Sequence, residues 1–338
     1  MAMNVLITTP LSASQAGGPA QYAVGLKAGL EAKEYKVELL SFESVLRYPS
    51  GIRHVVFFFR SLPRVRRADV VIVLDTWSVA LPVVLAALCQ RKPVILRTGG
   101  DFLWERYVER TGELITLPEF YTTAKLSLKE RLLLFIQRSI IFPLTHVLVF
   151  STTWQRDIWY SPYTLDLEKT TIIENAYHYD VSGQRDSRAS NRVVWIGRDR
   201  VLKNVKALDK AIEHVRAQYP AIEYQKYTDI PHERVLEVLT GARVFVLPSI
   251  SDVSPNLVLE ALALGTPVLL TRECGLRHVL QDAVTWIDPK DIDDMAAHIA
   301  DIMTEKGYER AKTQAQSFHA TRSYTHVGDD FVKLISSL

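Results

Sequence analysis

The sequence predicts an α/β protein made of two doubly wound parallel-sheet domains. Three observations carry that expectation. Short apolar runs alternate with helical patterns along the chain, the arrangement of parallel strands joined by helical crossovers. The alternation stops at a polar stretch, 177–191, and then starts again. The 338 residues also exceed what one ordinary core organises and suit two domains of similar size.

In the first half, strands are expected at 5–8, 37–40, 70–74, 94–96, 147–150 and 171–173. Between them Tyr22, Leu26 and Leu30 recur at helical spacing, and 81–88 and 128–140 read as further helices. The stretch 177–191 is rich in Ser, Asp and Arg and reads as a linker. A second series follows at 193–196, 224–226, 244–247, 268–270 and 285–287, with a helix at 205–218 and a last one at 326–338.

Composition narrows the classes. Hydrophobic content of 48% and charged content of 23% are those of a soluble globular protein, and a net charge of +2 gives no case for nucleic acid. Cys89 and Cys274 lie far apart in apolar segments, which excludes a disulfide framework and makes a reducing cytoplasm the expectation. Residues 1–7 run directly into a strand with no charged leader, so no secretory signal is expected. The apolar stretches 79–89 and 139–150 fall short of the roughly 20 residues that span a bilayer.

The richest text is Pro248-Ser249-Ile250-Ser251-Asp252-Val253-Ser254-Pro255-Asn256-Leu257-Val258-Leu259-Glu260, continuing to Gly265-Thr266-Pro267-Val268. Ser254 reads as an N-cap, Pro255 as the first helical residue, and Gly265 as the helix stop. The early N–H groups of that helix, from Asn256 and Leu257, suit an anion. Asp252 and Glu260 are placed to accept hydrogen bonds from hydroxyls on either side. An anion beside a polyol describes a nucleotide sugar. Upstream, Val193-Val194-Trp195-Ile196-Gly197-Arg198 reads as a strand ending at a glycine, and Arg198 and Lys203 on the following loop suit one pyrophosphate.

These stretches resemble the E-x7-E signature and the G-R-x4-K-G element of retaining glycosyltransferases with the GT-B fold, of the family 4 type (glycosyl transferases group 1). The resemblance implies two Rossmann-like domains facing across a cleft: 1–176 for the acceptor, 177–318 for the nucleotide sugar, and a helix in 319–338 that packs back on the first domain. It implies that Glu260 holds the ribose and that Asp252, an Asp in place of the usual Glu, faces the transferred sugar. Arg198 and Lys203 would bind the diphosphate, supported by Gly197 and by amides near Ser254, Pro255, Asn256 and Leu257. Asn204 stands where Gly is common, in an αL position that Asn tolerates.

In the first half, Gly17-Gly18-Pro19 matches a glycine loop beneath the donor. Gly99 stands where many relatives carry a His that contacts the sugar. Asp101 and Glu105 are candidates for holding an acceptor hydroxyl, or a helix N-terminal acid pair. Asn175 matches a turn position. The stretch 47–67 carries six arginines, no acids and an apolar run at 55–59, and 126–142 is an apolar helix pattern with Lys125, Lys129, Arg131 and Arg138 around it. Basic residues interleaved with large apolar ones suit an anionic membrane face or a lipid diphosphate acceptor, or are solvated arginines around core elements.

The reading that results is a retaining glycosyltransferase of polysaccharide or glycoconjugate biosynthesis. It is cytoplasmic or peripheral on the inner face of the membrane, and uses a nucleotide-sugar donor, a glycan or lipid-linked acceptor, and no metal or other cofactor. The alternatives are a nucleotide-sugar epimerase of similar shape and a catalytically silent sugar-nucleotide-binding subunit.

Overall fold

The computed structural model describes residues 3–11, 18–177, 191–319 and 321–338. Gly17 and nearly all of the expected linker lie outside them. The chain forms two compact units: Met1–Leu103 with Lys125–Ala176 and Arg322–Leu338, and Trp104–Ala124 with Tyr177–Thr321.

In chain order the first half contains β1 (Asn4–Thr9), α1 (Gly18–Glu31), β2 (Lys36–Ser41), α2 (Ile52–Arg67), β3 (Val70–Val73), α3 (Ala80–Gln90) and β4 (Val94–Arg97). It continues with α4 (Phe102–Thr111), α5 (Leu117–Thr123), α6 (Leu128–Ile136), α7 (Phe142–Leu144), β5 (Val147–Phe150), α8 (Thr153–Tyr163) and β6 (Thr170–Ile172). A π-helical turn, Gln137–Ile141, joins α6 to α7. The strands are parallel in the order β2-β1-β3-β4-β5-β6, and the direction of strand addition reverses between β1 and β3. All six expected strands are present. The apolar runs of β1, β3, β4 and β5 work because strands covered on both faces of a parallel sheet need no polar alternation, while the edge strands β2 and β6 are half-exposed.

The apolar run at 55–59 is part of helix α2, not a strand: Phe57, Ser61 and Val65 point into the unit, while Val55 and Phe59 are exposed. The second half begins with β7 (Arg192–Ile196), α9 (Val205–Arg216), β8 (Glu223–Tyr227), α10 (His232–Thr240) and β9 (Val244–Leu247). Then come α11 (Asn256–Ala263), β10 (Val268–Thr271), α12 (Arg277–Leu280), β11 (Thr285–Ile287), α13 (Ile292–Met303), α14 (Glu305–Gln316) and α15 (Tyr324–Ser336). Its sheet is parallel in the order β11-β10-β9-β7-β8, reversing between β7 and β9.

The last helix, α15, packs in the first unit, where Val327, Phe331 and Ile335 join Leu26 and Leu30 of α1 in one buried cluster. The two backbones nearly touch there. A Cβ on Gly29 would meet the Tyr324 carbonyl oxygen at 2.5 Å, and one on Gly328 would meet the Gly29 carbonyl oxygen at 2.8 Å. Backbone atoms cannot step aside as a side-chain tip can. Gly29→Ala is therefore expected to lower stability by about 1–3 kcal/mol through overpacking, read as a fall in the thermal midpoint; an unchanged midpoint would mean that the helices are not in close contact.

Candidate functional site

In open parallel sheets, ligands bind beyond the carboxyl ends of the strands where the strand order reverses. In the second unit that point lies between β7 and β9, so the loops 197–204 and 248–255 meet there. They are locked together by backbone, since Ile250 N–H donates to the Leu202 carbonyl at 2.9 Å. The next loop is locked on as well: Asp252 N–H donates to the Glu273 carbonyl at 2.9 Å, and Gly275 N–H to the Asp252 carbonyl at 3.0 Å.

Asn204 is the brace of this corner. It adopts the left-handed conformation (φ 55°) that its sequence position predicts, and it precedes the first residue of α9. Its buried amide donates to the carbonyls of Pro248 (3.1 Å) and Pro289 (2.6 Å), tying three loops together.

Lys203 and Asp252, far apart in sequence, meet here. Nζ lies 2.9 Å from Oδ2, with the side chains 24% and 15% exposed, so the pair is partly shielded yet open to a ligand. Arg198 is exposed on the same loop. Gly197 follows β7, and a Cβ there would come within 2.9 Å of the Trp195 ring.

The helix that follows starts one residue later than expected. Pro255, not Ser254, occupies the N-cap of α11 in an extended conformation, and no side chain caps it. Pro255 has a helical φ of -76° but an extended ψ of 96°, so it caps the helix rather than opening it, and Ser254 stays one residue outside. Asn256 is the first helical residue, with Leu257 after it, and both are half-buried at the start of the helix. The other end is as expected: Gly265 (φ 74°) and Thr266 close a Schellman turn onto Leu262 and Ala261.

Glu260 is buried, 2% exposed, but it is not sealed in an apolar interior. Its Oε2 lies 3.1 Å from Nε2 of His232 at the start of α10, which is 46% exposed. The hydrogen bond to Glu260 raises the His232 pKa, its burial works against this, and the Glu260 and Glu233 charges add to the rise. A histidine whose folded pKa is raised stabilises fully below its unfolded value, and the gain fades as pH climbs through the folded value. The loss of stability caused by His232→Ala is thus expected to be larger at about pH 5.5 than at about pH 8.5 in urea denaturation; equal losses would refute the contact.

A segment from the first half of the sequence completes the second unit. Glu105 of α4 pairs with Arg200 at 3.0 Å, and Glu109 lies 3.5 Å from the same guanidinium. Leu117 N–H donates to Ser251 Oγ at 2.9 Å, and Lys290 Nζ meets Glu119 at 2.5 Å. Neighbouring Glu273 has its pKa raised by burial first, then by the Glu119 and Asp288 charges. Glu105, a candidate for an acceptor hydroxyl or a helix N-terminal acid, here pairs with Arg200 on the Arg198–Lys203 loop.

Asp101 is fully buried, and its Oδ2 accepts the Trp159 indole N–H at 2.7 Å. Gly18, expected in a loop beneath the donor, is the first residue of α1. Asn175 does more than turn the chain: its Oδ1 accepts from the buried Arg97 guanidinium at 2.5 Å, and that guanidinium stacks on Tyr22 at 3.5 Å. A Cβ on Gly99 would come within 3.0 Å of Arg97 Nη1, so the glycine makes room for this arginine. Among the described residues, no group of three or more His, Cys, Asp or Glu is placed to hold a metal ion.

The comparisons with known proteins fall on this unit first. A family model described as glycosyl transferases group 1 matches residues 185–318. The chain is 32% identical over 92 residues to an O-antigen chain mannosyltransferase B of Escherichia coli, covering 27% of this chain and 24% of that protein. It is 22% identical over 183 residues to the gpi3 subunit of phosphatidylinositol N-acetylglucosaminyltransferase of Schizosaccharomyces pombe, covering 46% and 40% respectively. The chain thus spans less than half the length of the curated relatives it matches. Over the whole chain, it resembles the Anabaena protein HepE solved with UDP and glucose (TM-score 0.66, 11% identity, 99% of this chain and 100% of that one). Likeness of that extent shows the GT-B fold.

Proposed function

We propose that this protein is a retaining glycosyltransferase that moves a sugar from a nucleotide-diphosphate sugar to a glycan or lipid-linked acceptor in polysaccharide or glycoconjugate synthesis. One observation carries the reading: Lys203 and Asp252 meet at 2.9 Å where the strand order reverses, inside the stretch that matches the glycosyl transferases group 1 model. The donor diphosphate sits against Arg198, Lys203 and the start of α11, and Glu260 holds the ribose. Asp252, anchored through its own backbone to the 273–275 loop, orients the sugar hydroxyls.

As the bond from sugar to phosphate breaks, negative charge grows on the leaving diphosphate. Fixed cations and amides aimed at that charge lower the barrier without rearranging. The acceptor hydroxyl bonds to the anomeric carbon from the face the diphosphate leaves and gives its proton to the departing phosphate oxygen, which conserves configuration. The relatives support this reading: their names describe mannosyl and N-acetylglucosaminyl transfer, one of them to phosphatidylinositol. The HepE structure carries UDP and glucose. The proposed place of action is the cytoplasm, at the inner face of the membrane.

The test is transfer from a panel of labelled nucleotide sugars to glycan and lipid-linked acceptors, with the product anomer read by NMR. Product of the donor's configuration supports the proposal, and the opposite anomer removes the retaining mechanism. A second reading, epimerisation of the donor, draws on the His232–Glu260 contact as a proton-transfer pair. Incubation with donor alone separates the two: an epimerase converts it, whereas a transferase leaves the sugar's stereochemistry intact.

A further inference from the structure

We propose that one helical flank of the first unit, centred on α6, docks on an anionic lipid surface. The helix is inside out. Its one acid and the glutamine directly after it face the unit: Glu130 is fully buried in a capping box with Ser127, and buried Gln137 donates to the Thr76 carbonyl and accepts from the Tyr163 hydroxyl at 3.1 Å. Its large apolar side chains face outward, with Leu128 83% exposed, Leu132 57% and Phe135 59%. Spaced i, i+4 and i+7, they form one stripe along the outer face.

Cations flank that stripe on both sides. On a helical projection Arg131 and Arg138 fall to one side and Lys129 to the other, with Lys125 just before the helix; all four are exposed. Glu130 is the one acid between residues 125 and 145, and it is buried. A solvated face would carry its polar residues outward and a core helix would bury its leucines. An apolar stripe between rows of cations is instead what a helix lying in the headgroup region of an anionic bilayer presents.

Two further helices of the first unit also expose apolar side chains. Helix α2 exposes Ile52, Val55 and Phe59 opposite its buried Phe57 and Val65, and ends in exposed Arg66 and Arg67. Helix α3, which packs along α2 and touches the π-helical turn after α6, exposes Leu88. No helix among the described residues is long and apolar enough to cross a membrane, so the contact is peripheral. None of these residues belongs to the donor site, so this proposal and the transferase reading fail separately.

Sedimentation of the full chain with vesicles tests it, using phosphatidylcholine alone and phosphatidylcholine with about one-third phosphatidylglycerol, at low and high salt. The expected result is binding to the anionic vesicles, weakened by salt as exposed charges are screened. The double variant Leu132→Asp/Phe135→Asp should bind at least about tenfold less, and Arg131→Glu/Arg138→Glu should lose the preference for anionic lipid. Because all four side chains are exposed, circular dichroism should be unchanged. Wild-type binding to neither vesicle, or undiminished binding by the first variant, overturns the proposal. Equal binding to both vesicles overturns its electrostatic part. A dimer in sedimentation velocity that the first variant abolishes would reassign the face to a second copy of the chain.

Discussion

Replacing Lys203 by alanine should lower turnover by about 10²–10³-fold, the usual cost of deleting one donor aimed at developing negative charge. Stability should hardly change, because partly exposed ion pairs contribute only about 0–1 kcal/mol. The geometry separates the two effects. Lys203 Nζ sits 2.9 Å from Asp252 Oδ2 with both side chains partly exposed, so its loss leaves a carboxylate that water can still reach. Most of the deficit should appear in kcat, because the charge on the leaving diphosphate is greatest in the transition state. Lys203→Arg should recover part of the rate, since it restores the charge without the ammonium's placement. A Lys203→Ala enzyme with near-normal kcat would remove the lysine from the chemistry.

Asn204→Ala should be the most damaging substitution for stability in the site, costing about 2–4 kcal/mol in urea denaturation. The amide is the hydrogen-bond donor for two carbonyls, Pro248 at 3.1 Å and Pro289 at 2.6 Å, and alanine leaves both without it. Alanine must also hold φ near 55°, a region that suits it poorly. Asn204→Gly relieves the backbone strain but not the lost bonds, so it should fall between wild type and alanine. A cost for Asn204→Ala below about 0.5 kcal/mol, the range of ordinary surface changes, would show that the three loops do not depend on this brace.

Much of this architecture can be read from the residues alone, and the reasons are physical. Buried parallel strands are continuous apolar runs, so β3, β4, β9 and β10 announce themselves, whereas the edge strand β8, Glu223–Tyr227, is polar and half-exposed. Glycines and Asn at left-handed positions mark their turns, as Gly265 and Asn204 do. Helix α2 is not legible in the same way, because its run at 55–59 is apolar all round and shows no helical period. Nor could local pattern show that α4 and α5 join the second unit. That grouping rests on Glu105–Arg200, Leu117–Ser251 and Glu119–Lys290, contacts that span 95, 134 and 171 positions. His232 carries no motif; its one clue is its position directly after Pro231, at a helix start. The burial of Asp101 against the Trp159 indole has no local signal, because a carboxylate at a helix start reads alike whether it is exposed or buried.

The most direct test of the central claim is a calorimetric titration of the purified chain with a panel of nucleoside diphosphates. Saturable binding of at least one is expected, weakened about tenfold or more by Arg198→Ala, by Lys203→Ala and by Glu260→Ala. If no nucleoside diphosphate binds, or if all three variants bind as tightly as the parent, the corner between β7 and β9 is not a donor site.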